Sequence, residues 1–263
     1  MSQSSTVEDG EVLFKREGHV ATIVLNRPAK LNAVTPAMAA RLIELVLRCN
    51  ADPEVRAVIL TGAGEKAFCA GSDIADLDHY SSAWEFRNRP DYCDAIRKLA
   101  KPVICAINGY ALGGGLETAL SCDIRLAAAN ARFGAPEIKL GWIGGGGMSY
   151  LLAHSVGASN AALMLLTGEP IDAARALSWG LVSEILEPSE LQPRALELGK
   201  TIAQRAPIAA ETAKTNLRAA FAVPLETAVQ YERDLQTICF ATEDAKEGRD
   251  AFKQKRTAHF NRR

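Results

Sequence analysis

The stretch that decides the fold runs from residue 101 to residue 128, KPVICAINGYALGGGLETALSCDIRLAA. Val103 to Ile107 is a short apolar run with β-branched residues, bounded by Pro102 before it and Asn108-Gly109 after it, and it reads as a strand. A helix starts at the glycines and runs from Gly113 to Leu120, and Asp123 to Ala127 makes a further strand. Strand, helix and strand in such close succession predict an α/β architecture.

The same order extends upstream. Residues 11–26, EVLFKREGHVATIVLN, alternate apolar and polar positions on either side of a Glu-Gly-His turn, which predicts a hairpin. After Arg27-Pro28, Thr35-Pro36 can cap a helix whose apolar positions Met38, Leu42, Leu45 and Val46 recur at helical spacing. Ala57 to Leu60 then forms a short buried strand, and residues 84–100 are predicted as a second helix. Downstream of about residue 188 the strand signals stop, and helices punctuated by Pro207 and Pro224 follow. The expected organisation is a polar tail over 1–10, a core bearing the active site over 11–205, and a helical C-terminal oligomerisation region over 206–263. Whether the apolar faces of that region meet the main body or another subunit stays open at this stage.

Composition narrows the function classes. With 30 Lys and Arg against 31 Asp and Glu, a net charge of −1 and 48% hydrophobic residues, the chain has no electrostatic demand for nucleic acid. The start MSQSSTVEDGEV lacks the basic patch and apolar run of a signal peptide, and no uncharged apolar stretch reaches spanning length, so a cytoplasmic protein without membrane contact is expected. Cysteines at 49, 69, 93, 105, 122 and 239 show no CxxC spacing and are expected reduced. The histidines at 19, 79, 154 and 259 lack HxxxH or HExxH spacing, so no metal site is expected.

Three glycine-rich segments follow apolar runs: TGAGEKAFCAGSDI at 61–74, INGYALGGGLETAL at 107–120 and FGAPEIKLGWIGGGG at 133–147. Glycine permits close backbone approach to a ligand or positive φ, and a helix beginning after it aims unpaired N–H groups at negative charge. A dinucleotide site is not supported, because GGGLET lacks the last glycine of GxGxxG and IGGGGMS has no strand-plus-acid context downstream. GxxxxGK[ST] and the GxSxG nucleophile elbow are also absent. Two acids stand in apolar, glycine-rich company. Glu117 lies one helical turn after Gly114, so its carboxyl group can face the pocket of the glycine amides. Taken singly, Glu117 also suits a capping role near a helix start, and Glu137 a surface position after a proline.

Together, NRPAKLNAV at 26–34, LTGAGEKAFCAGSDI at 60–74, the opening stretch at 101–128, and ARFGAPEIKLGWI at 131–143 resemble the crotonase superfamily, the enoyl-CoA hydratase/isomerase family, over nearly the whole chain. The resemblance implies a spiral of repeated β-β-α units with a helical C-terminal subdomain, assembled as a homotrimer or homohexamer. It implies an acyl-CoA thioester substrate and no cofactor, since coenzyme A is part of the substrate. By the same resemblance the backbone N–H groups of Ser72 and Gly114 form an oxyanion hole. Glu117 and Glu137 map onto the glutamate pair of the hydratase branch, which predicts addition of water to a trans-2-enoyl-CoA. Coenzyme A contacts are implied at Lys30, Leu31, Ser72, Asp73, Ile74 and Ala75, with Phe252 and Lys255 completing the nucleotide site. Taken singly, Lys30 also fits a solvated surface lysine.

The chain departs from many hydratases at Leu116-Glu117-Thr118 and at Ile143 followed by Gly144 to Gly147, a glycine run that implies mobility or unusual backbone angles near a large neighbour, Trp142. Isomerisation, thioester hydrolysis and C–C cleavage are the competing reactions on such a scaffold, and a non-catalytic RNA-binding relative is the competing class.

Overall fold

The structure is a computed structural model that describes residues 11–263; the tail expected over residues 1–10 lies outside the described residues. The opening hairpin is present as β1 (Val12–Glu17) and β2 (Val20–Leu25), paired antiparallel. Thr35 caps α1 (Pro36–Ala51) by accepting the Met38 N–H at 3.2 Å, and α1 buries Met38, Leu42, Leu45, Val46 and Cys49 on one face. Next come β3 (Ala57–Gly62) and the short β4 (Ala67–Cys69).

Three small helices follow, α2 (Ile74–Leu77), α3 (Ala83–Arg87) and α4 (Tyr92–Arg97). The single helix expected over 84–100 is thus interrupted. Pro90 disfavours helical conformation in Arg89 and supplies no N–H, and Asp91 then starts α4 afresh by accepting the Cys93 N–H at 2.7 Å.

The chain continues through β5 (Val103–Ile107), β6 (Tyr110–Leu112), α5 (Gly114–Leu120), β7 (Ile124–Ala128) and β8 (Arg132–Gly134). After a 3-10 turn at Pro136–Leu140 come α6 (Met148–Val156), α7 (Ala158–Thr167), β9 (Ile171–Asp172), α8 (Ala173–Ser178) and β10 (Glu184–Leu186). Four helices close the described chain: α9 (Pro188–Ala203), α10 (Pro207–Ala219), α11 (Leu225–Phe240) and α12 (Glu243–Gln254).

The strands form two sheets, ordered β1-β2-β3-β5-β7-β10 and β4-β6-β8-β9. Each turn of the chain lays a strand in the first sheet (β3, β5, β7), then a short strand in the second (β4, β6, β8), then a helical segment. This is the expected β-β-α spiral, and pairing from β2 through β10 in the first sheet is parallel.

Both faces of the first sheet are covered, which is why its strands are continuous apolar runs. On β3, Val58 and Leu60 point into the core with α1, whereas Ile59 points the other way into a second cluster with Ile104, Leu126 and Leu191 and Ala195 of α9. Each fully buried aliphatic side chain contributes about 1.5–3 kcal/mol. α10 is fastened by charge instead. Lys101, wholly buried, pairs with Glu211 at 3.0 Å, and Lys214 donates to the Lys101 carbonyl and pairs with Asp123, both at 2.7 Å. Among the described residues no helix is long and apolar enough to cross a membrane.

Candidate active site

The glycine segments converge on one open cleft. Ser72, Gly114, Glu117 and Glu137 all line it, with Ile74 and Trp142 among the apolar contributors. They come from three successive turns of the spiral: Ser72 from the loop after β4, Gly114 and Glu117 from α5, Glu137 from the turn after β8.

The loop after β4 is held by a bridge to residue 34, in which Val34 N–H donates to Gly71 O at 2.8 Å and Asp73 N–H donates to Val34 O at 2.9 Å. Ser72 N–H takes no part in that bridge. Gly114 is the first residue of α5, where a helical amide has no intrahelical acceptor. The two amides are close neighbours: a Cβ placed on Gly114 would lie 3.5 Å from Ser72 N. That same Cβ would collide with the Tyr92 hydroxyl, which is itself 3.2 Å from Ser72 Oγ. Glycine at 114 is therefore required by close approach. Tyr92 is buried behind the amide pair, and burial raises its hydroxyl well above the ordinary tyrosine range, so it stays neutral.

Glu117 does not cap α5. Its carboxylate reaches across the cleft to the glycine run, where Oε1 accepts Gly146 N–H at 2.7 Å and Met148 N–H at 3.2 Å. Arg97 donates to the Gly146 carbonyl and so holds the same residue through its next peptide group. A Cβ on Gly146 would stand 2.7 Å from Glu117 Oε2. The run of glycines expected to bring mobility or unusual backbone angles is thus the surface against which Glu117 rests, and Gly147 has φ 104°. Burial raises the Glu117 carboxyl, the Gly146 N–H pulls it back, the charge of Glu137 pushes it up again, and Met148 N–H lowers it.

Glu137 is the counterpart with less support. Burial raises its carboxyl as well, opposed only by its own backbone, and its Oε2 is buried without a hydrogen-bond partner. The surface position that a proline-flanked acid suggests is not the one it occupies. The cleft therefore holds one carboxyl group stabilised as a hydrogen-bond acceptor and one suited to the protonated form, beside two amides able to receive an oxyanion. Nearby Cys69 is no thiolate, because burial pushes its thiol up to about 12. Among the described residues no group of three or more His, Cys, Asp or Glu is placed to hold a metal.

The comparisons with known proteins agree with this arrangement. The profile of the enoyl-CoA hydratase/isomerase family matches residues 15–263. The chain belongs to that family. A short-chain-enoyl-CoA hydratase of Clostridium acetobutylicum is 40% identical over 254 residues, covering 95% of this chain and 97% of that one. An (E)-benzylidenesuccinyl-CoA hydratase of Thauera aromatica is 39% identical over 251 residues, covering 95% and 98%. The crystal structure of an enoyl-CoA hydratase from Bacillus anthracis superposes with a TM-score of 0.88 at 35% identity, covering 99% of this chain and all of that one.

The other residues singled out in the sequence are dispersed for an enoyl-CoA hydratase/isomerase family site. Asp73 lines an adjoining cleft, paired with Arg27 at 2.6 Å and capping the Ala75 N–H. Lys30 is exposed at the end of a 3-10 turn, and Leu31, at φ 53°, accepts the Ala70 N–H through its carbonyl. These two and Ala75 line neither cleft. Phe252 is 86% exposed on α12 and Lys255 ends that helix at φ 52°; neither lines the cleft. Sequence reading did not single out Tyr92, Phe86 or Arg89, which the fold brings to these clefts from α3, α4 and the turn between them.

Proposed function

We propose that this chain is an enoyl-CoA hydratase that adds water across the 2,3 double bond of a trans-2-enoyl-CoA in acyl-CoA catabolism. The observation that carries the proposal is the pairing of Glu117, held by two amides, with Glu137, whose Oε2 is unpartnered, in one cleft. Ser72 and Gly114 N–H groups hold the thioester oxygen. Glu117 carboxylate takes a proton from water as the water oxygen bonds to the β-carbon, and electrons move through the double bond onto the thioester oxygen. Glu137 carboxyl gives its proton to the α-carbon, the thioester carbonyl re-forms, and a proton passing from Glu117 to Glu137 resets the pair. Loss of one oxyanion-hole donor typically costs about 3 kcal/mol of transition-state stabilisation.

The names of the relatives span a short acyl chain and an aryl-substituted succinyl group, so the acyl substrate is a property of the individual cleft. Coenzyme A is bound by the segment Lys30 to Leu31 and the loop Ser72 to Ala75, while Phe252 and Lys255 serve the nucleotide portion. No further cofactor is required, since two carboxyl groups complete the proton transfers while two amides hold the thioester oxygen; activity should survive dialysis against EDTA. Residues 206–263 drive assembly into a trimer or hexamer. Support comes from α11, which buries no residue, and from exposed Phe221, Leu225, Ile238 and Phe240. The setting is cytoplasmic, consistent with six free cysteines.

The test is the hydration rate of crotonyl-CoA by the purified protein, followed as loss of the conjugated enoyl absorbance. Steady turnover supports the proposal. Turnover of β,γ-enoyl- or β-keto-acyl-CoA alone sinks it in favour of isomerisation or C–C cleavage.

A further inference from the structure

The cleft carries a cation that the hydration chemistry does not use. Arg89 lines the cleft with Phe86, Trp142 and Gly145, and it is the one cation doing so among the described residues. Its guanidinium is held in place: Nη1 donates to the Phe86 carbonyl at 2.7 Å, and the group lies over the Phe86 ring at 4.1 Å. Its one carboxylate neighbour, Asp91, forms an ion pair with it just beyond hydrogen-bond reach. Asp91 Oδ2 is 3.6 Å from Nη2, while Oδ1 of the same side chain is committed to the Cys93 N–H that opens α4. Among the described residues the guanidinium makes no side-chain hydrogen bond besides that to Phe86, although the Asp91 charge partly balances it, and the side chain is 24% exposed.

Position relative to the reacting carbons sets what those donors can meet. Gly146 supports Glu117, and a Cβ on the adjacent Gly145 would stand 3.7 Å from Arg89 Nη2. Arg89 thus stands beside the residue next to the one that supports Glu117, and on the hydratase reading, in which Glu117 serves the β-carbon, this is the side on which the acyl chain would leave the thioester. A planar guanidinium with free donors matches a carboxylate bidentately.

We infer, resting on the hydratase reading of this cleft, that Arg89 is a specificity-determining residue that receives a second carboxylate at the far end of the acyl group, so that the preferred substrate is the mono-CoA thioester of an unsaturated dicarboxylic acid. Glu117 and Glu137 would repel such a substrate if both were fully ionised, but burial weakens that opposition and Arg89 offsets the remainder.

The test measures binding and turnover separately. Calorimetric Kd values for adipyl-CoA and hexanoyl-CoA, which have the same chain length, are compared across the wild type, Arg89→Gln and Arg89→Lys, with hydration rates for the corresponding 2-enoyl thioesters. The expected wild-type preference for the carboxylated ligand is about tenfold or more, falling to near parity in Arg89→Gln and partly kept in Arg89→Lys. Equal wild-type affinities, a ratio unchanged in Arg89→Gln, or equal losses for both ligands would overturn the inference, the last outcome marking a structural role or a contact with the coenzyme A phosphates. Carboxylate preference without hydration of either thioester would instead remove the hydratase reading and leave the binding inference standing.

Discussion

Gly146 N–H donates to Glu117 Oε1 at 2.7 Å, and the same glycine leaves no room for a side chain beside Oε2. One peptide therefore both charges and positions this carboxylate, while Glu137 across the cleft has an oxygen with no partner. Glu117→Gln and Glu137→Gln keep the shape of each side chain and remove its acid–base capacity. Each should lower kcat for crotonyl-CoA by about 10² to 10⁴, with KM changing far less, in a steady-state assay on protein verified as folded by circular dichroism.

Burial without compensation makes Glu137 a stability liability near neutral pH. Its folded-state pKa is raised, so the native state binds the proton more readily than the unfolded chain. The associated stability is present below the ordinary carboxylate range and is lost as pH rises through the raised value. Glu137→Gln should therefore have a higher Tm than the wild type at pH 7, and the difference should close as pH is lowered through that window. A constant difference at every pH would point to packing instead.

Crowding between Gly114 and the Tyr92 hydroxyl yields a coupled prediction. Gly114→Ala should push the first amide of α5 out of line and cost about 10² to 10³ in kcat, the usual range for a lost oxyanion donor. Tyr92→Phe removes the obstructing oxygen, so the double variant should recover part of that loss. A double-mutant cycle reads the interaction directly, and strict additivity would rule out the steric linkage.

Lys101 has no exposed side-chain surface and rests on Glu211 of α10, which also receives Arg262. Burial alone would raise the Glu211 carboxyl, but the bonds from Arg262 and Lys101 bring it below its ordinary value. Glu211→Ala strands a buried ammonium and should destabilise the fold by about 3–5 kcal/mol in urea denaturation. Lys101→Met with Glu211→Leu, which removes both charges, should cost much less.

The sheet is legible in the sequence because a strand covered on both faces must be apolar at every position, and VICAI at 103–107 and AVIL at 57–60 show this directly. Glu117 and Glu137 are legible for a related reason: a carboxyl group amid glycines and apolar residues has few structural uses. The segment around Arg89 and Tyr92 is not. Pro90 divides it into two short helices without enough length for a period to emerge, and both side chains matter only through what distant turns of the spiral place beside them. Lys30, Phe252 and Lys255 show the opposite limit, because resemblance marks them while the single chain holds them outside the cleft.

The run Gly144 to Gly147 offers four positions of unequal tolerance. A side chain at 144 or 146 would strike Glu117, and Gly147 sits at φ 104°, where L residues are strained. Only Gly145 has room, and its missing side chain would meet nothing nearer than the tip of Arg89. A protein engineer seeking to shorten, acidify or fill the cleft without disturbing its two carboxyl groups thus has a single permissive codon, flanked on both sides by forbidden ones.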